Sequence, residues 1–317
     1  MNNSNESIEQ PKKLFSVGGE ALIEGIMMRS PTGYSVVVRD TSGKLIIENT
    51  AQQPLTKRFS ILGLPIVRGA AGLFDSMSIG IKALFHSAEI SGLEDDPDYK
   101  PSKFDKFIED KFGDKAFNII MTIAMIFAVC FSILLFVVLP NFVSGVITNF
   151  FKLNTVFYNA IEGILRIAIF MVYIILVSKS KDINRVFMYH GAEHKTIFCY
   201  EHREELIVEN VRKQSRFHPR CGTAFLFVFM IISFLIFSFI PKFDNFLINA
   251  GLRVVLIPLV VGVAFEFNRY AGRSESIVAR ILRAPGLGLQ RFTTKEPDDK
   301  MIEVAITALN ESLNIKG

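Results

Sequence analysis

The chain has 317 residues, half of them hydrophobic, with a mean hydropathy of +0.35 and a formal net charge of +4. This composition excludes an ordinary soluble globular protein, and the concentration of apolar residues in blocks predicts membrane-spanning helices. Three cysteines do not form a disulfide framework. The polar first residues contain no basic segment followed by an apolar one, so no cleavable signal peptide is predicted.

The first 58 residues are predicted to form a tail and a small cytoplasmic region. Residues 1–15 are polar, and we expect them to be disordered. Residues 16–58 contain two strand-like segments, 34–39 and 45–48, joined by a turn rich in polar residues, which predicts a β-hairpin. Ahead of it, Glu20, Glu24 and Arg29 stand among apolar residues. They are either solvated turn residues or an acidic wall that supports a nearby site or contacts its substrate.

Residues 59–103 mix apolar residues with glycines and a few charges. Glycines weaken a regular helix, and charges interrupt the apolar run. We therefore predict one or two amphipathic helices lying at the membrane surface, followed by an exposed linker over 91–103.

Four transmembrane helices are predicted, two within 104–178 and two within 223–268. Their expected limits are 117–139, 157–177, 223–240 and 252–267. Pro140 is expected to end the first helix, and Pro258 to kink the fourth. Glu162 and Arg166 lie one helical turn apart in the second, so we expect them to pair or to face the bundle interior.

The loop charges predict the orientation of the chain. Residues 179–222 carry nine basic residues, whereas the other two loops carry Lys152 and Lys242 alone. The positive-inside rule then predicts a multi-pass protein of the cell membrane with both termini in the cytoplasm. The nine basic residues are Lys179, Lys181, Arg185, Lys195, Arg203, Arg212, Lys213, Arg216 and Arg220.

The tail, 269–317, is predicted to be cytoplasmic. The glycines and the proline of 285–290 are expected to break regular structure there. A helix follows, with Pro297 at its first position and an apolar face that needs a partner. The N-terminal hairpin region is the expected partner.

The cytoplasmic loop 179–222 contains the candidate functional site. As a helix, residues 189–195 place His190, Glu193 and His194 on one face, in the H-x-x-E-H order of the inverzincin peptidases. His218 and Cys221 form a second short cluster after it. Histidine and cysteine are both common zinc ligands, so the two histidines of the helix together with His218 and Cys221 predict a zinc site. The alternative is that the histidines are solvated or hydrogen-bonded and bind no metal.

Several segments resemble those of the YqhQ-like bacterial membrane proteins. These segments are Gly18–Ala21, Glu24–Arg29, His190–Lys195, His218–Thr223 and Gln290–Pro297, and the likeness covers nearly the whole chain. Glu20 departs from it, since Gln is expected there. That family is a domain of unknown function that is sometimes described as a predicted metal-dependent enzyme, so the resemblance implies a metal site.

Two classes of function stay open. In the first, His190, His194 and either His218 or Cys221 bind zinc, and Glu193 is the general base of a hydrolase at the cytoplasmic membrane face. Glu266, at the end of the fourth span, is either a carboxylate near that site or an interfacial anchor. In the second, the same four ligands close a structural zinc in a non-enzymatic scaffold or an accessory to membrane insertion.

Two further functions are disfavoured. A transporter would have an intramembrane charge and an inverted repeat, but Glu162 and Arg166 neutralise each other and no repeat is visible. Specific nucleic-acid binding is not expected, because the positive-inside rule already explains the basic loop. The lipid bilayer is the partner that the sequence predicts.

Overall fold

The computed structural model describes residues 14–92, 111, 116–273 and 276–315. The disordered tail predicted over 1–15 lies outside these ranges except for its last two residues. The linker predicted over 91–103 lies outside them except for its first two.

The N-terminal region is a four-stranded antiparallel sheet in which each strand pairs with the next. Its strands are β1 (Gly18–Leu22), β2 (Gly25–Arg29), β3 (Gly33–Arg39) and β4 (Leu45–Ala51). The predicted hairpin is present as β3 and β4. The first hairpin, β1–β2, was not predicted, because its glycines and charges interrupt the alternation that indicates a strand.

Both faces of the sheet are covered. The face with Ile26, Met28 and Val37 packs in a core with the helices that carry Tyr189 and Ile302. The opposite face, with the alternate residues of the same strands, packs against Ile79 and Ala83. Side chains alternate between the two faces of a strand, so strands buried on both sides read as apolar throughout, as 25–28 do.

The rest of the chain is mainly helical. The helices are α1 (Leu55–Arg58), α2 (Val67–Ile90), α3 (Ala116–Ile133), α4 (Leu139–Phe150), α5 (Thr155–Val177), α6 (Lys181–Glu201), α7 (Val208–Lys213), α8 (Gly222–Ser238), α9 (Phe246–Val255), α10 (Ile257–Arg273), α11 (Ile277–Thr293) and α12 (Asp299–Asn314). A 3₁₀ turn, Ser60–Gly63, precedes α2, and a π-helical turn, Leu134–Val138, joins α3 to α4.

Two helices among the described residues are long and apolar enough to cross a membrane, Ile119–Phe150 and Thr155–Val177. Helices α9 and α10 form a third candidate span if they are counted together, with a bend of 42° between them next to the expected kink at Pro258. The third predicted span is the shorter apolar helix α8.

Pro140 does not end the first span, as the sequence analysis expected. The helix continues through the π-helical turn and α4 to Phe150. Proline has no N–H to give to the carbonyl four residues before it, which here is Phe136. The Arg166 Nε donates to that carbonyl oxygen at 2.9 Å, so the acceptor stays satisfied and the helix can go on.

Residues 67–90 form one continuous helix, α2, in spite of their glycines. Gly69 lies against α10, and a Cβ there would be 2.6 Å from the Cβ of Phe265. Gly80 faces the carboxylate of Glu20 at a similarly short distance. The glycines therefore permit close packing of this helix.

The tail was also predicted to be less regular than it is. Helix α11 runs through Pro285 to Thr293. Pro285 has no N–H to donate to the carbonyl oxygen of Ile281. Both residues are exposed, so this missing hydrogen bond lies on the side of the helix that does not pack against the rest of the protein. Helix α12 begins at Asp299 with Asp298 as its N-cap, rather than with Pro297. Its apolar face packs on β2 and β3 of the N-terminal region, as expected, and also on α6, which was not predicted.

Candidate metal centre

Three potential metal ligands converge where α6 meets the start of α8. His190 and His194 lie one turn apart on α6, and Cys221 is the residue before α8. One potential ligand atom from each lies within 4.8 Å of the other two. His190 Nε2 and Cys221 Sγ are 3.2 Å apart. The segment predicted as a loop thus contains a 21-residue helix that sets the spacing of the histidines.

Both imidazoles are held in the tautomer that a metal ligand needs. His190 Nδ1 donates to the carbonyl oxygen of Thr293 at 2.8 Å. His194 Nδ1 donates to the carbonyl oxygen of Arg216 at 2.6 Å. Ligating histidines commonly donate the second ring N–H to a carbonyl in this way, which fixes the ring and leaves Nε2 with its lone pair free.

His194 Nε2 is the atom that fits a metal best. It is buried and has no hydrogen-bond partner among the described residues. A buried nitrogen without a partner is costly, and a metal ion in the cluster would satisfy it. Burial lowers the pKa of His194, partly offset by the nearby Cys221. The neutral form that ligates a metal is therefore favoured.

Residues of α11 and of the segment after it hold the residues of the cluster and their neighbours in place. Spacing alone did not predict a functional role for them. Gln290 is fully buried, and its side chain bonds the N–H and the carbonyl of His218 at 2.8 Å each. Arg216 donates to the Thr294 carbonyl oxygen. The resemblance of 290–297 to the family was the only signal for this segment, since main-chain acceptors leave no mark in a sequence.

Gly191 lets this segment approach α6. A Cβ at Gly191 would lie 2.0 Å from the carbonyl oxygen of Lys295, and the Lys295 N–H bonds the Phe187 carbonyl at 2.8 Å. Only glycine fits at such a distance. The approach places Thr293 beside His190.

His218 is close to the cluster but does not join it. Its ring centroid is 5.7 Å from that of His194. Its Nε2 faces Glu201 at 3.4 Å, and its Nδ1 accepts the N–H of Arg220 at 3.3 Å. Both ring nitrogens therefore have partners, and the structure brings three of the four predicted ligands together.

Glu193 points from α6 toward the edge strand β1. Its Cγ would be 2.8 Å from a Cβ on Gly19, so the side chain packs closely against the main chain of β1. Burial raises the pKa of this carboxyl, while the nearby His190 and His218 lower it. Glu193 is therefore a buried carboxyl next to His194 on α6, and its pKa is raised.

Glu20 is the one member of the predicted acidic wall that lies near Glu193. It is exposed at the sheet edge, yet its carboxylate is crowded by α2 at Gly80. Desolvation and then the Glu193 charge raise the pKa of Glu20 to about 7, against the effect of Arg29.

The other three residues proposed around the site bind elsewhere. Glu24 forms a bidentate pair with Arg185 at 2.5 Å and accepts the Tyr189 hydroxyl. Arg29 contacts Asp75 and Ser76 of α2. Glu266 pairs with Arg68 at 2.5 Å. These contacts fasten the sheet to α6 and α2, and α2 to α10.

The predicted intramembrane pair has a third member. Arg166 Nη2 is 2.6 Å from Glu162, and Arg253 holds both oxygens of the same carboxylate at 2.5 Å. Arg253 lies 91 residues after Glu162, so its part in this group does not follow from local spacing. Two guanidinium groups thus share one buried carboxylate.

The fold and the cluster together define a mainly helical protein with candidate membrane spans, an N-terminal sheet and a His–His–Cys group. Residues 64–315 match the model of a family described as "Protein of unknown function (DUF1385)", and the chain belongs to this family.

A relative supports the same assignment. The chain is 33% identical over 302 residues to "Uncharacterized protein YqhQ" of Bacillus subtilis (strain 168), covering 94% of this chain and 92% of that protein. No solved structure matches the chain. The resemblance noted in the sequence is thereby confirmed.

Proposed function

We propose that this protein is a zinc-dependent membrane hydrolase that acts at the cytoplasmic face. The buried, unpartnered Nε2 of His194 carries the proposal, because it lies in a group that offers two imidazoles and a thiolate to one ion. A thiolate favours zinc over magnesium or calcium. Three protein ligands with one open position form the catalytic rather than the structural pattern.

Glu193 is the proposed general base. Zinc, when bound, supplies a Lewis acid that lowers the pKa of a water molecule to about 7. Glu193 would be the residue that takes up a proton during hydrolysis and returns it to the leaving group. Burial raises the pKa of this carboxyl, which favours uptake of a proton.

A structural zinc in a non-enzymatic scaffold is the second candidate. The close packing of the buried Glu193 side chain against Gly19 favours it. In that case the cluster fastens α6 to the start of α8, and Glu193 fastens α6 to β1.

One set of variants separates the two candidates. His190→Ala and His194→Ala are expected to lose zinc and cellular function, measured by elemental analysis and by complementation of a strain that lacks the protein. Glu193→Gln is expected to keep zinc and lose function. Glu209→Gln, which changes an exposed carboxyl on α7, is the matched control and should keep both.

The outcome for Glu193→Gln decides between the classes. Loss of function with zinc and fold retained supports the hydrolase. Full function with zinc retained, alongside inactive ligand variants, makes the zinc structural and ends the enzyme proposal.

We also propose four spans with both termini in the cytoplasm. The nine basic residues between α5 and α8 support this orientation. A cysteine at Asn245, in the turn before α9, should react with an impermeant thiol reagent from outside intact cells, and one at Arg212 should not. The reverse labelling would overturn the orientation.

A further inference from the structure

Two adjoining cavities lie at the end of α5 opposite the metal centre. The first, called the polar cavity because Lys242 and Asp244 line it, has a volume of about 390 Å³. It lies between α4, α5, α9 and the α8–α9 connection, and most of its lining surface is apolar. The second, of about 410 Å³, has an entirely apolar lining. Cys221 precedes α8 and the α8–α9 connection lines the first cavity, so the 17 residues of α8, about 26 Å of helix, separate the cavities from the His–His–Cys group.

The polar cavity presents a cation and a carboxylate that do not neutralise each other. Lys242 Nζ bonds two neutral oxygens, Thr148 Oγ1 at 3.3 Å and Asn149 Oδ1 at 2.5 Å. Asp244 lines the same cavity, and neither it nor Lys242 forms an ion pair within the described ranges. A ligand that carries both a negative and a positive group would complement this pair.

Asn141 adds an unused hydrogen-bond acceptor. It is 1% exposed, and its Nδ2 donates to the Tyr158 hydroxyl at 2.6 Å. Its Oδ1 is buried and has no partner among the described residues, although the residue lines the polar cavity. A buried acceptor of this kind requires a donor from a ligand or from solvent.

Hydrogen bonds from Asn249 hold the cavity wall at the α8–α9 connection. Asn249 bonds the N–H and the carbonyl of Phe243 at 2.9 and 2.7 Å, which holds the segment that carries Lys242 and Asp244. The Asn249 carbonyl in turn accepts Arg253 Nη1 at 2.9 Å. Since Arg253 and Arg166 share one carboxylate, the bundle behind the cavity carries an excess positive charge.

The apolar cavity continues directly from the polar one. Phe142 and Phe246 line both, with ring centroids 6.1 Å apart in an edge-to-face arrangement. The π-helical turn, Leu134–Val138, forms much of the apolar wall. Such turns often occur at functional sites. A polar pocket that opens into an apolar groove fits an amphiphile.

We propose that the two cavities bind one phospholipid whose headgroup carries a phosphate and a primary ammonium, as in phosphatidylethanolamine. The phosphate lies at Lys242, and the ammonium donates to Asn141 Oδ1 and Asp244. An acyl chain lies along the π-helical turn. Phosphatidylcholine lacks the N–H donors that Asn141 requires, and phosphatidylglycerol brings no cation to Asp244.

Native mass spectrometry of the full chain in detergent tests the proposal. The probes are dioleoyl phosphatidylethanolamine, phosphatidylcholine and phosphatidylglycerol, with soluble phosphoethanolamine as a competitor. The ethanolamine lipid donates hydrogen bonds that the choline lipid cannot, so it should bind about ten-fold tighter than the choline lipid. Phosphoethanolamine should not displace it at equal concentration, because it lacks the apolar contacts.

Three variants locate the site. Lys242→Gln and Asp244→Asn should each weaken binding of the ethanolamine lipid about ten-fold, since each loses one charged contact. Lys152→Gln is the matched control, because Lys152 is an exposed lysine in the α4–α5 turn that lines neither cavity, and it should bind normally. These variants sit at the surface connection, so the bundle should fold in all three.

Four results would overturn the proposal. They are equal binding of the ethanolamine and choline lipids, tighter binding of the glycerol lipid, an equal loss in Lys152→Gln, and displacement by phosphoethanolamine at equal concentration. None of them bears on the metal centre, which lies at the other end of α5.

Discussion

Arg166 donates from Nε to the main-chain carbonyl oxygen of Phe136 at 2.9 Å. That carbonyl is the one that Pro140 leaves without its helical donor. The contact explains how a span with an internal proline continues for 32 residues. It also ties α5 to the π-helical turn that precedes α4.

The first prediction follows from this contact. Arg166→Met should destabilise the wild type more than it destabilises a Pro140→Ala variant, because alanine restores an N–H near the Phe136 carbonyl. We expect a coupling of about 1 kcal/mol, the usual net value of a hydrogen bond. Thermal unfolding of the four proteins in detergent measures it, and strictly additive losses would contradict the contact.

The second prediction concerns the two arginines on Glu162. Glu162→Gln leaves two buried guanidinium groups without a counter-charge, whereas Arg166→Gln leaves the bidentate pair with Arg253 intact. Breaking a buried pair costs about 3–5 kcal/mol, so Glu162→Gln should reach that range and Arg166→Gln should cost clearly less. Equal losses in chemical unfolding would instead indicate an isolated Glu162–Arg166 pair.

The third prediction tests the close approach at Gly191. Gly191→Ala should displace the Lys295 carbonyl and with it the Thr293 acceptor of His190, at a cost of about 1–3 kcal/mol. It should also lower zinc affinity. Gly72→Ala in α2 is the control, since nothing lies within 4 Å of the new Cβ, and alanine should stabilise that helix by up to about 1 kcal/mol.

Melting temperature and zinc content of the two variants provide the comparison. If Gly191→Ala matches Gly72→Ala in both, the approach of Lys295 does not support the site.

The membrane class and the local helical spacings could be predicted from the sequence, whereas most contacts between distant residues could not. The helical pair His190–His194 and the apolar face of α12 follow from spacing alone. The sheet was only half predicted, because the glycines and charges of β1 and β2 interrupt the alternation that indicates a strand.

The errors share one cause. Pro140 and Pro285 were expected to interrupt regular structure, and each is accommodated by its tertiary surroundings, through Arg166 in the first case and an exposed helix side in the second. Arg253 and Thr293 were missed because their partners lie 91 and 103 residues away. A single sequence does not record which residues meet over such separations.

The fourth prediction uses the raised pKa of Glu20. Its carboxyl has a pKa of about 7 in the folded protein and 4.5 as the ordinary value, so the folded state binds the proton more tightly. The stability it contributes is present below pH 4.5 and is lost as the pH rises through 7. Because Glu20 is exposed, water screening keeps the effect small.

The thermal midpoint of the wild type should therefore fall from pH 5 to pH 8 more steeply than that of Glu20→Gln. Glu209→Gln, with an exposed carboxyl on α7, should follow the wild type. Parallel curves for wild type and Glu20→Gln would show that the pKa of Glu20 is not raised in the folded protein.

The fifth prediction concerns zinc binding and tests the account most directly. The measurement is elemental analysis of the zinc content of protein purified without chelators. We expect about one zinc per chain in the wild type, and its loss in His190→Ala, His194→Ala and Cys221→Ser. His218→Ala should keep the zinc, because both nitrogens of His218 already bond Glu201 and Arg220. Wild-type protein without stoichiometric metal, or a His218→Ala variant as empty as His194→Ala, would contradict the three-ligand centre.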